Sequence, residues 1–255
     1  MAGDDSAARP PSPPGAEWRA PVSVPPGARP LVTVSGSCSG VGKTTLVELI
    51  IRRFAPIAAL KVTVVDSGVH GCPIDRECGV CAALTVPFRI LEERPRRGGA
   101  VPRKDTGRYA AAGAAPVVWV QTRGTDLDQA LGAGLTAASR PGSRGTPARA
   151  GEGGVVLEGN TPTLRLAPDA AVLVDHPDRR ETKASTRALQ SAPRRVHWVV
   201  LNCPQGTDPA AVAAGRRRLA TEWPGIEIVE LDLCNPGPAG DRFLGLLAHR
   251  CGRAR

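Results

Sequence analysis

Aromatic residues make up only 3% of the 255-residue chain, with four Trp, three Phe and a single Tyr. That scarcity excludes the rows of aromatic side chains on which single-stranded nucleic acid stacks. Lysine is scarce too: of 33 basic residues only Lys43, Lys61, Lys104 and Lys183 are lysines, and the rest are arginines. No apolar run approaches the roughly 20 residues that a membrane-spanning helix needs, which argues against a membrane protein. The N-terminal order Met1-Ala-Gly-Asp-Asp lacks the basic-then-apolar pattern of a secretory signal, so a cytoplasmic protein is expected. Without such a signal, seven cysteines, an odd number, are not expected to form a disulfide framework.

What is present points to one α/β domain. Apolar residues reach 42%, enough for a sizeable core. The formal charge of +9 comes from scattered arginines, as in Arg96-Arg97 and Arg216-Arg217-Arg218. This reads as a solvated surface, and nucleic acid is not an expected partner. Residues 1–29 are rich in Pro, Ala, Ser and Gly and are expected to form a disordered tail. Residues 30–255 then form the folded domain, with a cysteine-rich insert near 70–81 and a Gly/Pro/Arg loop over 140–153. Apolar β-branched runs predict strands at 31–35, 57–65, 115–121, 154–158, 170–175, 197–202 and 226–231. Helical periodicity predicts helices at 43–53, 105–112, 126–138, 182–190, 208–221 and 241–250. Several strands are apolar throughout, as happens when both sheet faces are covered. The alternation predicts a mostly parallel sheet with helices on both faces, a three-layer α/β/α fold.

The strongest local signal is Leu31-Val-Thr-Val-Ser35-Gly36-Ser-Cys-Ser-Gly40-Val-Gly42-Lys43-Thr44-Thr45-Leu46. An apolar strand enters a Gly-rich turn, then Gly-Lys-Thr-Thr, then an apolar-periodic helix, which is the context a phosphate-binding loop requires. Glycines let successive backbone N–H groups face one anion, and the helix N-terminus adds its positive end. The candidate cradle comprises Gly36, Ser39, Gly40, Val41, Gly42, Lys43, Thr44 and Thr45. Lys43 is placed to reach the β- and γ-phosphates, and the Thr44 hydroxyl to hold Mg²⁺. Ser37 stands where the usual first Gly belongs, and Gly36 lies one residue earlier. A metal partner needs a carboxylate at the end of another buried strand. Glu158, closing Gly154-Val-Val-Leu-Glu158, meets that need, to hold Mg²⁺ or orient water; Asp66, after the second strand, is a further candidate. Cys38 reads as a small filler residue, and His176, His197 and His249 as structural or solvated.

At these residues the chain resembles the phosphate-loop NTPases of the dethiobiotin-synthetase and nitrogenase-iron-protein class. Within it, the chain is most similar to the molybdopterin-guanine-dinucleotide biosynthesis protein B group. Ser39-Gly-Val-Gly-Lys-Thr-Thr-Leu46 matches the group's phosphate loop. Lys61 resembles its Lys-His, with Val62 in place of the His. Lys104-Asp105-Thr106-Gly107-Arg108 resembles its Lys-Asp-Ser-Tyr-Arg, and Ala112-Gly113-Ala114 and Val156-Leu157-Glu158-Gly159 match two further segments. The resemblance covers about residues 30–205. It implies Mg²⁺-dependent binding and slow hydrolysis of GTP or ATP, accessory to molybdenum-cofactor or other metal-cofactor biosynthesis. It also implies a cofactor-assembly partner protein and a homodimer. Lys61 and Lys104 fall on motif-like positions and are candidate ligand contacts. Asn202, ending a late strand, would read the purine edge, with Asp208 as a candidate second reader. Lys183 reads as a surface helix residue, although it can also approach the same crevice.

His70-Gly-Cys72-Pro-Ile-Asp-Arg-Glu-Cys78-Gly-Val-Cys81 offers three thiols and one imidazole within twelve residues. Cys78-x-x-Cys81 is a chelating spacing, suited to Zn²⁺ or to an iron–sulfur cluster. A redox pair and inert loop cysteines are the alternatives. Three functions remain open on the sequence: an accessory NTPase, an ATP-dependent ligase or kinase of the dethiobiotin-synthetase type, and a nucleotide-gated metal-sensing regulator.

Overall fold

The computed structural model describes residues 20–65, 84–93, 105–140, 153–179, 181–192 and 195–253. In chain order the elements are β1 Leu31–Gly36, α1 Lys43–Phe54, β2 Ala58–Val65, β3 Phe88–Glu93, α2 Asp105–Ala111, β4 Val117–Arg123, α3 Leu127–Ala138, β5 Val155–Glu158, α4 Asn160–Arg165, β6 Ala170–Asp175, α5 Ala184–Gln190, β7 Trp198–Asn202, α6 Pro209–Glu222, β8 Glu227–Leu231 and α7 Gly237–Arg250. The eight strands form one sheet in the order β3-β4-β2-β5-β1-β6-β7-β8. Six of its neighbour pairs are parallel, and β3 runs antiparallel to β4.

Strand sequence explains the sheet's depth. Every residue of β1, β5, β6 and β7 is buried, as required where helices cover both faces. Successive side chains point to opposite faces. Val32, Val34, Val156, Val172, Val174 and Val200 pack with Leu46, Ile50 and Ile51 of α1, Tyr109 of α2 and Phe243 and Leu247 of α7. The alternate set divides between two clusters: Leu31, Leu60, Val120 and Leu157 meet α3, and Leu173, Val199 and Leu201 meet Leu189 of α5 and Leu219 of α6. Each fully buried Leu or Ile contributes roughly 1.5–3 kcal/mol by leaving water. The α1 stripe Leu46, Val47, Ile50, Ile51, Phe54 follows the helical period, and Arg52 and Arg53 face out. At the start of α6, Asp208 caps the Ala210 amide at 2.9 Å and Pro209 occupies the first turn, where its missing N–H costs nothing.

The structure departs from the sequence expectations at three places. β3, Phe88-Arg-Ile-Leu-Glu-Glu93, lacks a regular apolar–polar alternation and lies at the sheet edge, and only pairing to β4 makes it a strand. α4 is a short helix of six residues directly after β5. The expected tail is too long at its C-terminal end: Val22 donates to the Arg165 carbonyl at 2.8 Å and Ala28 is fully buried. Val22, Val24 and Ala28 join the α3-side cluster, so packing begins before residue 30. Among the described residues no helix is long and apolar enough to cross a membrane.

Candidate functional site

Because β1, β2, β5, β6, β7 and β8 run the same way, their carboxyl ends share one edge of the sheet. Gly36, Glu158, Asp175 and Asn202 are the last residues of four of them. In an open parallel sheet this edge carries the ligand crevice, at the point where connections leave in opposite directions. β1 lies there between β5 and β6.

The 36–45 loop opens from β1 into α1. Gly40 and Gly42 take φ of +76° and +104°, conformations that a side chain strains against. At Gly42 a Cβ would also stand 2.9 Å from Asn202 Nδ2 and from Leu233 Cδ1. A Cβ on Gly36 would meet Lys43 Cγ and Cδ at 2.7 Å. From Cys38 to Thr45, no backbone amide donates to a partner among the described residues; the first bonded amide is Leu46, to the Gly42 carbonyl at 3.0 Å. Among the described residues no side chain caps α1. The result is a run of open donors at a helix N-terminus, which attracts an anion. Lys43 folds back so that Nζ donates to the Cys38 carbonyl at 3.3 Å. Burial lowers its pKa; Glu158 opposes that shift, and Lys183 and Lys61 reinforce it. Cys38 packs against the core as a filler.

Surrounding elements hold the loop in place. Asn160 brackets Gly36, accepting from its N–H and donating to its C=O, each at 2.8 Å. Thr186 Oγ1 lies 3.1 Å from the Gly36 carbonyl and 3.3 Å from that of Ser37. Ser37 donates its amide to the Val174 carbonyl at 3.0 Å and its hydroxyl to Asp175 at 2.5 Å. Asp175, fully buried, also ion-pairs with Arg179 and Arg218. At the far end Asn202 donates to the Val41 carbonyl at 3.0 Å and accepts the Leu233 amide at 3.1 Å. Asn202 is therefore engaged with the loop and with the turn after β8. Asp208, the second candidate reader, serves as the α6 cap.

Beside the loop, oxygen donors converge. Thr44 Oγ1 stands 3.1 Å from Asp105 Oδ1 and 3.3 Å from Glu158 Oε2. Lys61 Nζ bonds Asp105 and lies 3.7 Å from Glu158 Oε1. Tyr109 donates its hydroxyl to Glu158. Burial pushes the Asp105 carboxyl up, but the Lys61 bond and charge, with Thr44, outweigh it and leave the pKa below its ordinary value. Burial, then the Glu158 charge and hydrogen bond, raise the Tyr109 pKa far above its ordinary value, so the phenol stays protonated and donating. Arg108 ties α2 to α1 through both Glu48 oxygens, at 2.8 and 2.9 Å.

The structure thus brings Lys43, Thr44, Lys61 and Glu158 together, and adds Asp105 and Tyr109, which the sequence did not single out. Asp105 lies 61 residues from Thr44; it stands in the Lys104–Arg108 motif, in which the sequence points only to Lys104 as a candidate contact. Asp66, His70, Cys72, Cys78, Cys81 and Lys104 lie outside the described residues. Among the described residues no group of three or more His, Cys, Asp or Glu is placed to hold a metal ion. No protein-family model matches the chain, and no curated protein matches it.

Proposed function

We propose that the chain binds a nucleoside triphosphate, ATP or GTP, with Mg²⁺ and hydrolyses it slowly, in the service of metal-cofactor assembly. Molybdopterin guanine dinucleotide is the product toward which its motifs' resemblance points. A second copy of the chain and a cofactor-assembly protein are the partners this reading expects. The observation that carries it is the run of open amides from Cys38 to Thr45 with Lys43 folded across them.

A polyphosphate in that cradle accepts from the amides, and Lys43 leaves the Cys38 carbonyl to bond a phosphate oxygen. Thr44, Asp105 and Glu158 would hold Mg²⁺. They fit it: all three present hard oxygens, and the ammonium of Lys61 already stands as a cation between the two carboxylates. Held there, Mg²⁺ would supply positive charge to the phosphate oxygens. Lys61 then turns its charge to the ligand or keeps Asp105 ionised. Tyr109, by donating to Glu158, fixes that carboxylate's direction.

The test is hydrolysis measured against Mg²⁺ concentration. Asp105→Asn raises the half-saturating Mg²⁺ by about tenfold or more while metal-free nucleotide affinity stays near wild type. Hydrolysis independent of Mg²⁺, or an unchanged half-saturation, contradicts the assignment.

A further inference from the structure

Lys183 is held at the rim of the glycine-rich loop by its backbone. Its N–H donates to the Ser37 carbonyl at 3.0 Å, and three residues on, Thr186 Oγ1 bonds the Gly36 and Ser37 carbonyls. The start of α5 therefore cannot drift from the first two residues of the loop. The Lys183 side chain is exposed, and no carboxylate, carbonyl or hydroxyl among the described residues accepts from its ammonium.

Its position along the loop has a direction. Thr186 also accepts from Asn160 at 2.9 Å, and Asn160 follows Glu158-Gly159 in the chain. Lys183 thus stands at the Ser37 end, beside the segment that carries the carboxylate Glu158. The opposite end, at Val41, is held by Asn202. In the strand order, Lys61 of β2 lies on one side of β1 and Lys183, after β6, on the other. Two of the chain's four lysines therefore flank a loop that carries a third, Lys43, in a protein whose other basic residues are, Lys104 apart, arginines. An ammonium is a compact point charge suited to a single phosphate oxygen, whereas a guanidinium is a planar fork. Lys183 also adds unfavourably to the charge of Lys43, more than Lys61 does. An anion between them relieves that repulsion.

We propose that Lys183 is a third phosphate contact, closing the cradle on the terminal phosphate of a bound nucleoside triphosphate. The inference rests on the nucleotide reading given above and adds a residue that senses the triphosphate over the diphosphate.

The experiment is calorimetry on the full chain with Mg²⁺ and paired nucleotides, ATP with ADP and GTP with GDP. Lys183→Ala weakens the triphosphate about tenfold and the diphosphate less than about twofold. Lys183→Arg, which keeps the charge, stays within about threefold of wild type for both. The nucleotide-free melting temperature of both variants matches wild type, since the side chain is exposed. Equal losses for the two nucleotides, or no loss for either, overturn the proposal while leaving the nucleotide reading standing. A wild-type chain that binds neither nucleotide overturns both.

Discussion

Asp175→Ala tests whether the loop is held by a buried ionic network. Asp175 is fully buried at the end of β6. Its carboxylate takes the Ser37 hydroxyl at 2.5 Å, the His176 amide at 2.8 Å and Arg218 Nη2 at 3.2 Å, and it ion-pairs with Arg179 Nη1 at 3.1 Å. The Arg179 side chain is only 4% exposed. Without Asp175 it keeps Glu222 as a partner, but one buried charge is lost and a second is left under-compensated. Removing one member of a buried pair costs about 3–5 kcal/mol. That is a large share of a total stability of about 5–15 kcal/mol. For a chain of this size it corresponds to a melting temperature lower by roughly 10 °C. Asp175→Asn keeps the shape and can still accept from Ser37 and His176, so it costs less. Urea unfolding of wild type and both variants reads the difference directly. A loss under about 1 kcal/mol for Asp175→Ala, with an unchanged denaturant slope, would refute the claim that this network anchors the loop.

Two further predictions concern other positions. Gly42→Ala forces a side chain into φ +104° and against Asn202 and Leu233; unfolding shows a loss of at least about 1–2 kcal/mol, and triphosphate affinity falls with it, whereas wild-type affinity contradicts the cradle geometry. His197 accepts the Ala171 amide on Nδ1 at 2.9 Å, and burial, with Arg250 nearby, pushes its pKa from 6.5 down to about 4. Between those values the unfolded chain binds a proton that the native chain does not, so stability rises with pH from about 4 to 6.5 and is lost on acidification through that window. Imidazole shifts followed by NMR remain those of the neutral ring at pH 5, and an apparent pKa of 6 or above contradicts the assignment.

The parts legible in the sequence are those whose chemistry is local. β1, the 36–45 loop and α1 are consecutive, and their apolar strand, glycines and helical stripe each announce themselves. β5 was legible because Val155-Val-Leu-Glu158 is apolar up to a terminal acid. What stayed hidden depends on distant pairing. Phe88–Glu93 becomes a strand only against β4. Asp105 reaches Thr44 only because Arg108 and Tyr109 seat α2 over α1 and Glu158. Lys183 read as a surface residue, and exposed it is, but the hydrogen bond from its amide to Ser37 sets it at the loop's rim. Asp208 looked available for a base and is spent on capping α6. Asn202 carries its own explanation in the fold, joining Val41 to Leu233 with both ends of its amide.

Calorimetric titration of the wild-type chain and of Lys43→Ala with Mg²⁺-triphosphate tests the central claim most directly. The account predicts saturable one-site binding to wild type and a loss of at least about a hundredfold in the variant, the loss of a charge-assisted phosphate bond in a partly dry site. Equal affinity for the two chains, or no binding to the wild type, contradicts it.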